Sequence, residues 1–214
     1  AVMVNGEVVA ARDHHAAHGH AVGIVPLSIE TVNDAGVTFD MITHVAAGCG
    51  PGSFTGIRIA LAAAKGFCMA HRATGVGVSG LQALAHAANQ AASGTKRPCL
   101  VLADTRRGSF YAQIFDSIAQ PIGTIFETTI QQVPYLTDIK IAGSGLSVIG
   151  TDRIAVADSL IMAGIAADLP EIDEMPSASM VACVANEQII NNQTSPLQPL
   201  YITNPRLGSE KKSG

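Results

Sequence analysis

Apolar and polar positions alternate in patterns that predict strands and helices in turn along nearly the whole chain. Residues 1–4 and 7–11 alternate around Asn5-Gly6, a pair that tolerates the positive φ of a type I′ turn, and predict a hairpin. Over residues 20–35, Ile24, Val25, Leu27, Ile29 and Val32 recur at helical spacing and Gly36 supplies a stop. Pro26 falls inside this helix and marks its true start or a kink. Residues 42–47 read as a short buried strand. A glycine-rich loop from Gly48 to Gly56 then leads into a strong helix former over 57–70. Residues 76–78 predict another strand, with Ser79 placed to cap a helix over 81–92. The polar break over 93–98 is the best domain boundary and divides the chain into 1–95 and 96–214.

The second half restarts the pattern. Residues 100–103 predict a buried strand, 104–108 a turn, and 109–115, 122–129 and 139–142 further strands, the last running into Gly143-Ser144-Gly145. Helices are expected over 159–168 and 177–191, and the chain closes on Leu200-Tyr201-Ile202 and a charged tail. Alternation of strands and helices in both halves predicts an α/β fold of two related lobes.

Composition narrows the function classes. Of 214 residues, 48% are hydrophobic and 14% charged, which excludes a disordered chain and a coiled coil. With 13 Lys and Arg against 17 Asp and Glu, the net charge is −4 and argues against strong unassisted binding to nucleic acid. Aromatic residues make up 4% with no Trp, so Val, Ile, Leu and Ala must fill the core and base stacking is poorly supplied. Cys49, Cys68, Cys99 and Cys183 form no C-x-x-C pair and read as reduced, buried thiols of a cytoplasmic protein. No apolar run reaches the ~18 residues of a spanning helix. The first residues also lack the basic-then-apolar layout of a signal peptide.

Three stretches invite a chemical reading. His14 and His18, with His15 and His20 beside them, would share a face on a helix. The zincin pattern, however, needs Glu directly after the first His, where His15 stands, so a solvated loop is expected. The loop Gly50-Pro51-Gly52-Ser53-Phe54-Thr55-Gly56 sits between a strand and a helix, where free N–H groups suit a phosphate. It lacks the Gly-Lys-Ser/Thr ending of a Walker A loop and the G-x-G-x-x-G spacing, and the competing reading, a tight turn that sets the helix against the sheet, is favoured. Along the next helix Gly56, Ala60 and Ala64 recur every four residues as a small-residue face open to close helix packing. Ile57, Leu61 and Phe67 provide a separate apolar face for the home core. Asp104, Arg106 and Arg107 form an anion site or a local ion pair and turn, and the tail Glu210-Lys211-Lys212 reads as a solvated end.

The string from Gly50 through Arg58 to Ile59, with Ala64-Lys65-Gly66, Gly77-Val78-Ser79, Leu81-Gln82-Ala83-Leu84-Ala85, 104–111 and 199–202, closely resembles the TsaB (YeaZ) family. The matches run from about Gly6 to Tyr201. The resemblance implies two lobes of the ASKHA (actin/Hsp-type ATPase, ribonuclease-H-like) fold. It implies a role in making threonylcarbamoyl-adenosine in tRNA, as the non-catalytic partner of TsaD, with the ATPase TsaE joining the pair. It also implies a homodimer when TsaD is absent, no cofactor of its own, ATP or ADP at most at the interface of the larger complex, tRNA met only indirectly, and no membrane contact. The family's two helices, about 20–35 and 57–70 here, make the partner contact, which points to Ile24, Leu27, Gly56, Ile57, Ala60, Ala64 and Phe67.

TsaD-type proteins carry Gly-Val-Asn-His-Leu-Glu-Gly-His, whose two His bind the catalytic metal. That stretch falls on residues 77–84, and the ligand positions become Gly80 and Leu84. Neither side chain can coordinate a metal, so the chain is expected to be no transferase. The family's opening strand, roughly Leu-Ala-Ile-Asp-Thr-Ser, is absent from this sequence: if the protein lacks it the first sheet loses an element, and if it lies outside the sequence given nothing changes. Two rival readings share the fold: a metal-dependent peptidase of the glycoprotease type, and a free-standing nucleotide-binding ATPase.

Overall fold

The structure is a computed structural model and describes residues 1–13, 20–92, 94, 96–136, 145–200 and 202. In the first half, β1 (Val2–Val4) and β2 (Glu7–Ala10) pair antiparallel across Asn5-Gly6, both at positive φ as the hairpin pattern requires. Helix α1 (His20–Asp34) follows, tied back to the end of the hairpin where Arg12 meets Asp34 at 2.5 Å and Glu30 at 2.7 Å. Pro26 lies inside α1, and the hydroxyls of Ser28 and Thr31 donate to the carbonyls four residues earlier.

Next, β3 (His44–Gly48) pairs in parallel with β4 (Thr74–Val78) around the crossover helix α2 (Phe54–His71). The far edge of β4 is occupied by the chain's end, which bridges Gly77 to Ser195. A side chain at Gly77 would collide with the Pro196 carbonyl and sit 2.7 Å from the Cys49 Sγ, so glycine is what lets the final segment close on the strand.

The second half builds one sheet in the order β7-β6-β5-β8-β9, from β5 (Cys99–Asp104), β6 (Phe110–Phe115), β7 (Pro121–Thr128), β8 (Leu146–Gly150) and β9 (Ala167–Asp168). Strand β5 is central, antiparallel to β6 and parallel to β8, and is buried on both faces. Its alternation sorts the layers. Leu100 and Leu102 face Val156 and Leu160 of α4 (Arg153–Met162), while Cys99 and Val101 face Leu81, Leu84 and Ala88 of α3 (Gly80–Ala91). The last helix, α5 (Ala178–Ile190), returns to the first half, where Val184 and Ala185 pack on Val76 and Val78.

The α/β alternation therefore holds, and the first-half strands stand as two separate two-stranded sheets rather than one. Two expectations shift. The helix expected over 159–168 runs six residues earlier, because Val156, Ala157 and Leu160 supply the buried face and Gly164 at φ +80° ends the turn after it. Strand β8 was not expected. The strand assigned to 139–142 lies outside the described residues, as do Gly143 and Ser144, Tyr201 and the tail from 203. The division at 95/96 falls in the break before β5, yet α3 lies on the second-half sheet and α5 on the first-half strands, so each half lends a helix to the other. Among the described residues no helix is long and apolar enough to cross a membrane.

Candidate functional site

The glycine-rich loop takes its shape from backbone positions that only glycine adopts easily. Gly50 stands at φ +102° and Gly52 at φ +156°, and the Gly50-Pro51 peptide is cis. A Cβ on Gly50 would also come within 2.8 Å of the Ile57 Cδ1. Ser53 then caps α2 by accepting from the Gly56 N–H at 3.3 Å, while the Arg58 guanidinium lies 3.7 Å from the centre of the Phe54 ring. Internal bonds anchor the loop: the Cys49 N–H donates to the Val78 carbonyl, and the Gly80 N–H to the Gly50 carbonyl, both at 2.8 Å. Pro51 and Gly52 line the cleft between the halves, with Thr55 exposed at the second position of α2.

Gly80 and Leu84, the positions that the TsaD-type resemblance sets against metal ligands, sit at the start of α3. A Cβ on Gly80 would meet the Pro176 Cγ at 3.4 Å and the Gly50 carbonyl oxygen at 3.6 Å, and Leu84 is buried among Val101, Phe115 and Ile149. Neither position offers a donor atom. Of the histidine group, His14, His15 and His18 lie outside the described residues, and His20 opens α1.

The turn between β5 and β6 resolves the Asp104/Arg106/Arg107 alternatives residue by residue. Asp104 accepts from the Arg106 N–H at 2.6 Å and holds Arg106 at φ +59°, on the wall of the central cavity. Arg107 is committed elsewhere, to the Tyr111 hydroxyl at 3.2 Å and Glu127 at 3.6 Å, in an exposed local ion pair.

That cavity holds about 1360 Å³ and reaches from Gly50 and Gly52 into the first half, between β1, β3, α1, α2 and α5. Ile24, Leu27, Gly56, Ile57, Ala60, Ala64 and Phe67 all line it. The Gly56/Ala60/Ala64 stripe is thus turned toward the lobe's own interior, and Ala64 joins Leu61, Ala47 and Leu197 in the core. The outward faces carry a different set. On α1 these are Val25 and Ile29, each 43% exposed; on α2 they are Phe54, Arg58, Ala62, Gly66 and Met69, the last 85% exposed. The two helices pack on each other. The α1 pair was visible in sequence as apolar residues off the Ile24/Leu27 side, and Ala62 and Gly66 as a second small stripe two residues out of phase with Ala60 and Ala64.

Residues 7–203 match the family model described as TsaD, tRNA N6-adenosine threonylcarbamoyltransferase. The chain belongs to this family. Within it, the chain is similar to the tRNA threonylcarbamoyladenosine biosynthesis protein TsaB of Escherichia coli, 33% identical over 92 residues that are 43% of this chain and 39% of that protein. An uncharacterized protein of Mycobacterium tuberculosis is 29% identical over 191 residues, 88% of this chain and 77% of that one. Among solved structures, YeaZ from Pseudomonas aeruginosa superposes with a TM-score of 0.69 at 22% identity, covering 85% of this chain and 84% of that one. A second structure, described as an uncharacterized protein similar to peptidase YEAZ from Pseudomonas aeruginosa, gives 0.73 at 21% identity, covering 87% and 85%. The TsaD-family fold and the TsaB/YeaZ resemblance read from the glycine loop agree with these findings.

Proposed function

We propose that this chain is the non-catalytic, TsaB-type partner of a TsaD-type transferase in the threonylcarbamoyl-adenosine modification of tRNA, working in the cytoplasm. What stands at positions 80 and 84 carries the reading. Gly80 has no side chain and Leu84 is committed to the core, so neither residue supplies a metal ligand. The chain supplies shape instead. Helices α1 and α2, in contact and with Val25, Ile29, Phe54, Ala62 and Met69 outside, form an apolar helical surface of the kind that another helix pair covers. The same surface closes a homodimer when the transferase subunit is absent. TsaE joins through the complex, and tRNA is met through the partner, consistent with the net charge of −4.

The test is co-elution with a TsaD-type subunit. Met69→Glu together with Ile29→Glu places charge on exposed positions, and the double variant is expected to fold but to leave the complex. A double variant that co-elutes unchanged contradicts the proposed surface.

A second reading has one observation in its favour. The loop at Gly50–Ser53 from one half and Arg106 from the other line the same cleft, an arrangement suited to a nucleotide phosphate. Titration calorimetry with ATP separates the two: micromolar binding by the isolated chain favours a nucleotide-binding protein over a pure scaffold.

A further inference from the structure

Helix α4 has two apolar faces, and the fold covers one of them. Seven of its ten residues are apolar, yet only Val156, Ala157 and Leu160 are buried, against the second-half sheet. The other four are exposed: Ile154 by 64%, Ile161 by 54% and Met162 by 88%, with Ala155 beside them. A helix that covers a sheet ordinarily turns charged and polar residues to water. Here positions 154, 158, 161 and 162 recur at the i, i+4, i+7, i+8 spacing of a single helix face, and three of the four are large and apolar. The 3-10 turn at Val133–Tyr135 packs on α4 and carries the exposed Tyr135. Single exposed hydrophobics are ordinary, whereas a continuous group on one face marks an interaction site.

The one polar position on this face narrows what fits. Asp158 stands at its centre, one turn from Ile154 and about one turn from Ile161 and Met162. Among the described residues it has no ion-pair or hydrogen-bond partner. The helix's own cation, Arg153, is engaged elsewhere, with Glu174 at 3.7 Å and with the Pro170 carbonyl. Asp152 at the head of the helix adds a second exposed carboxylate. The face therefore joins apolar contact area to negative charge. A second copy laid on it about a two-fold axis would set the two Asp158 carboxylates against each other as they lose water, which is costly. A helix with apolar residues at the same spacing and a Lys or Arg at its centre meets both demands, because it covers the apolar side chains and neutralises Asp158.

We infer that the outward face of α4 is a docking site for an amphipathic helix of another protein, with apolar anchors on Ile154, Ile161 and Met162 and one basic side chain on Asp158. Helix α4 belongs to the second-half sheet, whereas α1 and α2 cover the first-half strands, so the inference is independent of the proposed transferase contact.

Two labelled peptides test it by fluorescence anisotropy against the 214-residue chain. Each is an alanine-rich helix of about 18 residues with a leucine stripe; one carries a central Lys and its twin a central Glu. The Lys peptide is expected to bind about tenfold more tightly than the Glu twin. Asp158→Lys is expected to reverse that preference, Asp158→Asn to erase it, and Ile161→Glu to abolish binding of both peptides. All three substitutions fall at exposed positions, and thermal melting checks that each variant folds. Equal affinity for the two peptides, a preference that Asp158→Asn and Asp158→Lys leave untouched, or no binding of either peptide overturns the inference. Self-association in sedimentation equilibrium that Ile161→Glu removes assigns the face to a second copy and overturns it equally.

Discussion

At Gly77 the close approach of two segments leaves no room for a methyl group, because the Pro196 carbonyl and the Cys49 Sγ already occupy the space. Gly77→Ala is therefore expected to destabilise the fold by about 1–3 kcal/mol, the usual cost of overpacking, read from the urea midpoint. Cys99 gives a second test at this scale. Burial pushes its thiol up to about 12, with Asp116 and Asp168 adding to the effect, so the native protein holds it protonated at pH 8. A thiol reagent is expected to leave Cys99 unlabelled in the native state and to label it once the chain unfolds. Native labelling at the rate of a free thiol contradicts this packing. The third test is the Arg12–Asp34 contact, where hydrogen bonding by Arg12, more than its charge, holds the Asp34 carboxyl below the usual carboxylate range. A depressed carboxylate stabilises the fold above its unfolded value, and that contribution disappears as pH falls through the folded one. The stability difference between wild type and Asp34→Asn is expected to shrink as pH drops below about 4; a difference that does not vary with pH rules the link out.

At the scale of elements, α2 shows how one helix divides its work. Ala64 is in the home core with Leu61, whereas Ala62 is exposed two residues away. Ala64→Leu is expected to cost about 1–3 kcal/mol of stability through overpacking. Ala62→Leu should stay within about 0.5 kcal/mol while weakening assembly with the TsaD-type subunit, measured by thermal melting beside co-elution. Loss of stability from Ala62→Leu and none from Ala64→Leu would reverse the assignment. The helices α1, α2, α3 and α5, the hairpin and strands β3 to β7 were legible because their apolar spacing and glycine stops are local signals. The direction of the Gly56/Ala60/Ala64 stripe was not, because two small-residue stripes on one helix look alike until the sheet beneath it is known. Strand β8 escaped notice because Leu146-Ser147-Val148-Ile149 is a four-residue run before a glycine, too short to separate from loop by period alone. In the site, the glycine loop and the identities of Gly80 and Leu84 were readable directly. That a Cβ at Gly80 would just touch Pro176, nearly a hundred residues away, is carried by no local pattern.

At the scale of the molecule, α3 and α5 each pack across to the other half, so the halves form one body around the cleft bordered by the glycine loop and Arg106. A body of this kind, belonging to the TsaD family, is the one we propose as a subunit that positions another. The most direct measurement is tRNA modification by the purified TsaD-type subunit and TsaE, with and without this chain, and by this chain alone. The account predicts that threonylcarbamoyl-adenosine forms only when the TsaD-type subunit and this chain are both present. Product formed by this chain alone, or formed equally well without it, contradicts the account.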